Sequence, residues 1–131
     1  MASLFTRIIA GEIPCYKVAE NEHCVAFLDI NPVQRGHTLV VPKHEVDYIY
    51  DLPDDVLTEL TLFSKRVAKA IQEEIPCNRI GVTVIGLEVP HAHIHLIPIN
   101  GLADMDFKKA RVEMSQEEYV NLAHRIGERV I

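Results

Sequence analysis

Apolar residues recur along this chain in two rhythms, and each rhythm predicts a kind of element. Between Pro53 and Glu74, Val56, Leu57, Leu60, Phe63, Val67 and Ile71 fall at three- and four-residue steps, which gathers them into one stripe of a long α-helix. Pro53 suits its first turn, Asp54 and Asp55 favour the positive end of the helix dipole, and Pro76 forbids continuation. A C-terminal helix is expected to begin at Ser115, because Ser115-Gln116-Glu117-Glu118 is a capping box; Val120, Ala123, Ile126 and Val130 are its expected inner face. Leu4 to Ile9 reads as a short amphipathic helix closed by Ala10-Gly11 and Pro14.

The second rhythm is that of strands. Two alternating runs between Tyr16 and Ile30 flank the polar Glu20-Asn21-Glu22, which predicts a hairpin. His37 to Val41 is β-branched and apolar enough for a third strand, stopped by Pro42. Two more are expected over Ile80–Ile85 and His91–Ile97, separated by Gly86 and bounded by Pro90 and Pro98. Hairpin-like neighbours with one long helix predict an α+β fold around an antiparallel sheet. No repeat, low-complexity stretch or linker interrupts the 131 residues, so one domain over 1–131 is expected.

Composition narrows the function classes. Hydrophobic residues make up 48% and charged residues 24%, the balance of a globular chain rather than a disordered one. The longest apolar run, around Thr38–Pro42, is far too short to span a bilayer, and the first residues show no export signal; a cytoplasmic protein away from membranes is expected. The net charge of −6, with no basic cluster, argues against binding a nucleic acid, although histidines and backbone amides can still meet the charge of a single nucleotide. Cys15, Cys24 and Cys77 form neither a disulfide framework nor a C-x-x-C hook and read as reduced, mostly buried thiols.

The chemistry is concentrated in the histidines. Seven are present, and three of them, His91, His93 and His95, alternate. In a strand they project to one face while Ala92, Ile94 and Leu96 point to the other. A merely solvated stripe would mix Thr, Lys, Glu and Ser, whereas stacked imidazoles repel one another when protonated. Their packing is expected to depress at least one pKa and leave a neutral, nucleophilic ring. The spacing also allows a metal site, with Glu88 or His44 completing the shell.

His91-Ala92-His93-Ile94-His95-Leu96-Ile97 resembles, at every position, the signature of the histidine triad (HIT) superfamily. Leu4–Pro14, Phe27-Leu28-Asp29-Ile30-Asn31-Pro32, Gly36–His44 and Asp51-Leu52 resemble its other segments in order, and the Hint-like nucleotide hydrolases are the branch most similar. The resemblance implies a HIT-like α+β fold with a five-stranded antiparallel sheet, one long helix and usually a homodimer, and hydrolysis at the α-phosphorus of a purine nucleotide or nucleotide conjugate without a cofactor or metal. It makes His93 the nucleophile, His91 the donor of a backbone carbonyl that orients it, His95 the group beside the phosphate and leaving group, and His37 a supporting histidine. Histidine rather than glutamine at 95 favours hydrolysis over nucleotidyl transfer. Asp29 matches the acid that bonds the ribose hydroxyls, and Leu4, Phe5, Ile8, Phe27 and Ile30 match the apolar base slot. A nucleoside phosphoramidate is the substrate this branch suggests; a dinucleoside polyphosphate, or a non-catalytic nucleotide- or metal-binding module, are the alternatives.

Two departures stand out. The phosphate-contacting loop before the triad is shortened to Val84–Pro90, with Leu87 at a glutamine position and Glu88 at a hydroxyl position. A carboxylate beside phosphate weakens binding unless it is turned away, protonated or paired with a cation; it would suit a cationic amine leaving group. Ser3 and Thr6 stand where many bacterial relatives have zinc-binding cysteines, so no structural zinc is expected, although His44 and His91 are retained.

Overall fold

The computed structural model describes residues 2–131. Its strands are β1 (Lys17–Glu20), β2 (Cys24–Leu28), β3 (Thr38–Pro42), β4 (Arg79–Thr83) and β5 (Ile94–Ile99); its helices are α1 (Leu4–Ile9), α2 (Asp54–Glu74) and α3 (Gln116–Arg129). The strands form one sheet in the order β1-β2-β3-β5-β4, every neighbouring pair antiparallel, which is the predicted α+β architecture. Ser3 caps α1 by accepting the Thr6 N–H at 3.0 Å, and the capping box at Ser115 opens α3. Among the described residues no helix is long and apolar enough to cross a membrane.

The two faces of the sheet are covered by different helices. Leu60, Phe63, Val67 and Ile71 of α2 and Leu122 and Ile126 of α3 pack on Ala26, Leu28, Val40, Ile94 and Leu96. On the other face Phe5 of α1 packs with Val25, Phe27, Leu39 and Val41. Cover on both sides explains why every residue of β2 and β3 is buried and neither strand alternates.

Several boundaries differ from the sequence reading for identifiable reasons. The inner face of α3 is Tyr119, Leu122, Ala123 and Ile126, and Val120 is 52% exposed, because the helix is rotated to stack Tyr119 on Tyr16 at 4.7 Å. Gly127 permits this approach: a Cβ there would lie 2.5 Å from the Val18 carbonyl oxygen. Pro42 closes β3 as its last residue. The fifth strand begins at Ile94, not His91. The position across from Ala92 on β3 is Pro42, which has no N–H, and the Ala92 N–H bonds to the Val46 carbonyl at 2.7 Å instead. Pro98 lies inside β5 rather than ending it. It extends past Thr38, the first residue of β3, and its carbonyl accepts from the Gln34 side chain, so its missing N–H costs no ladder bond. β4 ends at Thr83, and Ile85 to Val89 run on along a cavity wall. Cys24 alone of the cysteines is buried, its thiol pushed up to about 11 by desolvation; Cys15 and Cys77 are half-buried.

Candidate active site

Register builds the site. Phe27 of β2, Leu39 of β3 and His95 of β5 form one row across the sheet, on the face that α1 covers. Phe5 meets the ring of His91 at 5.8 Å and that of His93 at 4.9 Å, both edge-on, and His93 lies 4.9 Å from His95. The three imidazoles therefore share one side, as alternation predicts, although only His95 belongs to the hydrogen-bonded strand.

Hydrogen bonds locate the proton on each ring. The Val33 N–H donates to Nδ1 of His37 at 3.1 Å, so the proton of neutral His37 sits on Nε2. That Nε2–H donates to Nδ1 of His95 at 2.9 Å, which leaves the proton of His95 on its own Nε2. A carbonyl can only accept, so His91 donates from Nε2 to the Pro42 oxygen at 2.7 Å, and His93 donates from Nδ1 to the His91 oxygen at 2.8 Å. The remaining nitrogen of neutral His93, Nε2, carries a lone pair. His93 and His95 are 7% and 8% exposed, whereas His37 and His91 are fully buried behind them.

Burial lowers His37, His91 and His95 below the ordinary imidazole range. His37 is pushed down to about 3 by desolvation, reinforced by the positive charge of Arg111. His95 is likewise pushed down to about 3 by desolvation, then by His37 and His93. His91 is lowered by burial, opposed by its bond to the Pro42 carbonyl.

Ser3 and Thr6 form a hydrogen-bonded cluster around His91. Ser3 Oγ lies 2.8 Å from its Nδ1 and, with that nitrogen unprotonated, donates to it. Thr6 Oγ1 donates to Glu45 Oε1 at 2.5 Å, and the Ser3 N–H donates to the same oxygen at 2.7 Å. These bonds, the Thr6 hydroxyl first, hold the exposed Glu45 carboxyl down to about 2.

Asp29, His37 and His95 bring one carboxylate oxygen and two ring nitrogens within 4.8 Å of one another, close enough to hold a metal ion. The tautomers oppose ligation, since His37 Nε2 carries a proton for as long as Val33 donates to Nδ1. Nor do the three triad rings converge on one point. Both nitrogens of His91 are engaged by Pro42 and Ser3, and Nδ1 of His93 is engaged by His91. His44 and Glu88, the other ligands considered from sequence, are exposed.

In front of His93 and His95 opens a cavity of about 480 Å³. Leu4, Phe5, Ile8, Phe27, Asp29, Ile30 and Glu88 all line it with the two histidines, so the structure gathers the sequence-selected set, while His37 and His91 stand behind the wall. Ile30 contributes from a side chain that is 75% exposed. Sequence reasoning missed Phe107 and Arg111, which come from a stretch that carries no signature. Phe107 packs edge-on against His95 at 5.2 Å and His37 at 5.9 Å, and the Arg111 guanidinium lies 5.5 Å from the centre of its ring. The one usable signal was an aromatic and an arginine within a run that has neither strand nor helix periodicity.

A HIT domain family model matches residues 10–101, most of the chain. The chain belongs to the HIT family. This HIT protein is 34% identical to Protein hit of Bacillus subtilis, over 97% of the chain and 93% of that protein. It is 39% identical to the adenosine 5'-monophosphoramidase of Saccharomyces cerevisiae, over 74% of the chain and 62% of the yeast protein. A crystal structure of a hypothetical histidine triad nucleotide-binding protein from Sulfolobus tokodaii superposes with a TM-score of 0.81 at 32% identity, covering 96% of this chain and 90% of that one.

Proposed function

We propose that this HIT-family hydrolase cleaves nucleoside phosphoramidates or related nucleotide conjugates at the α-phosphorus, through a nucleotidyl group carried on His93. The observation that carries the reading is His93 itself: its Nδ1–H is held by the His91 carbonyl at 2.8 Å, which makes Nε2 the lone-pair nitrogen of the neutral ring, and its ring lines the cavity. In the first step that lone pair bonds to phosphorus as the phosphorus–nitrogen bond to the amine breaks. The departing amine keeps the bonding electrons and takes a proton from water at the cavity mouth, while His95 Nε2–H, beside His93, donates a hydrogen bond to the charge developing on the phosphoryl group. Water then attacks phosphorus, the bond to His93 breaks, the attacking water's proton passes to solvent, and a nucleoside monophosphate leaves. His37 fixes the tautomer of His95. Asp29 Oδ1 accepts the Asn31 N–H at 2.7 Å; its other oxygen lies 3.5 Å from His37 Nε2, on the cavity wall where ribose hydroxyls would reach it. Leu4, Phe5, Ile8, Phe27 and Ile30 form the slot for a purine, and Glu88, exposed among the lining residues, is available to a cationic leaving amine. The relative named as an adenosine 5'-monophosphoramidase supports the phosphoramidate.

The same reading takes the protein as a cytoplasmic homodimer, joined along the outer edge of β4, where Val82 is 61% exposed. The test is turnover of a fluorogenic adenosine phosphoramidate by wild type and His93→Ala, with and without chelator. Activity that survives chelation and vanishes in the variant, with a mass gain of one nucleotidyl group on rapidly quenched wild-type protein, is the expected result. Equal activity in the variant overturns the mechanism, and activity abolished by chelator alone points to a metal-dependent one.

A further inference from the structure

Counting charge around the cavity exposes a deficit. His37 and His95 are held neutral by burial, and two carboxylates, Asp29 and Glu88, line the wall. A nucleotide brings one or two further negative charges at its phosphate. In a site walled largely by apolar side chains an uncompensated anion binds poorly. Among the described residues lining the cavity, Arg111 is the only lysine or arginine.

Arg111 is also held in place. Its Nη1 donates to the Asn31 carbonyl at 2.9 Å and its Nη2 to the Phe107 carbonyl at 2.8 Å. Two of its five N–H donors are thereby used, and the remaining ones are free to meet a ligand. The chain around it is tied down too: the Val112 N–H donates to the Pro32 carbonyl at 2.9 Å, and Lys109 bonds Gln34. Ring contacts run from His93 through His95 and Phe107 to the guanidinium, whose charge acts on the His37 and His95 rings, so the cation lies near that pair of histidines.

We propose that Arg111 is the phosphate-binding residue of this site, pairing with the non-bridging oxygens of the nucleotide's phosphoryl group and making the site specific for nucleotides over nucleosides. The proposal rests on the nucleotide reading above. It accounts for the shortened loop before the triad: the segment that leads into α3 supplies a positive charge, which Leu87 and Glu88 do not. It also gives the extension beyond Asn100 a function within its own chain.

Equilibrium binding of AMP and of adenosine to wild type, Arg111→Gln and Arg111→Lys, at low and high salt, tests it. Wild type is expected to prefer AMP, and Arg111→Gln to weaken AMP at least tenfold while weakening adenosine less than threefold. Arg111→Lys should recover part of the loss. The salt dependence of AMP binding should flatten in the glutamine variant. Equal weakening of AMP and adenosine, unchanged AMP affinity, or a wild type that binds both alike each overturns the proposal. Adenosine binding reports an intact nucleoside slot, so a misfolded variant is recognised. No turnover is measured, so a His93→Ala protein that still hydrolyses substrate would sink the catalytic reading and leave this one standing.

Discussion

Acid should unfold this protein through two histidines. His37 and His95 have folded values of about 3 against an ordinary 6.5. Between those limits the unfolded chain binds protons that the native rings refuse. Stability is therefore complete above pH 6.5, falls as pH drops through the window, and is fully lost for these groups below pH 3. Lowering the pH to 5 moves each ring 1.5 pH units below its unfolded value. At about 1.4 kcal/mol per unit, each ring then costs ~2 kcal/mol. Both together cost ~4 kcal/mol, a large share of the 5–15 kcal/mol typical of a folded domain. Carboxylates with ordinary values near 4 remain mostly ionised at pH 5, and His91, also lowered by burial, adds a loss of the same sign to wild type and variant alike. Urea unfolding midpoints at pH 7.5 and 5 measure the loss for wild type and for His37→Gln, whose amide can accept from Val33 and donate to His95 without titrating. The variant should lose ~2 kcal/mol less than wild type on acidification to pH 5. Equal losses, or His37 and His95 imidazole NMR signals that titrate near 6.5 in the native protein, would refute the reasoning.

Three further outcomes follow from contacts. Asp29→Ala should raise KM for a ribonucleotide conjugate about tenfold and for its 2′-deoxy analogue much less, because only the former offers the hydroxyl that the carboxylate would accept; steady-state kinetics on the pair decides it. Ser3→Ala removes the cap of α1 and the donor to buried His91 Nδ1, and should cost ~2 kcal/mol; an unchanged melting temperature would contradict the assigned tautomer. Gly127→Ala forces a methyl group to within 2.5 Å of the Val18 carbonyl oxygen, and denaturant titration should show a loss of roughly 1–3 kcal/mol.

What could be read from the chain alone was whatever neighbouring residues decide. The capping box at Ser115, the stripe of α2 and the alternation of His91, His93 and His95 depend on residues a few places apart, where chain geometry fixes direction. The cavity residues between Leu4 and Glu88 were legible through motif resemblance, which stores a three-dimensional solution in local words. Tertiary structure decided the rest. The ladder of β5 starts late because of Pro42, some fifty places back along the chain, and α3 is turned by Tyr16 rather than by its own apolar pattern. The site's protonation pattern has the same origin. Ser3 reaches His91 across 88 residues, and His37 reaches His95 across 58. Arg111 entered the cavity only because its segment folds back onto Asn31 and Pro32. A proton's position on an imidazole depends on which partner is nearest in space, and nearness between distant residues is a property of the packed fold.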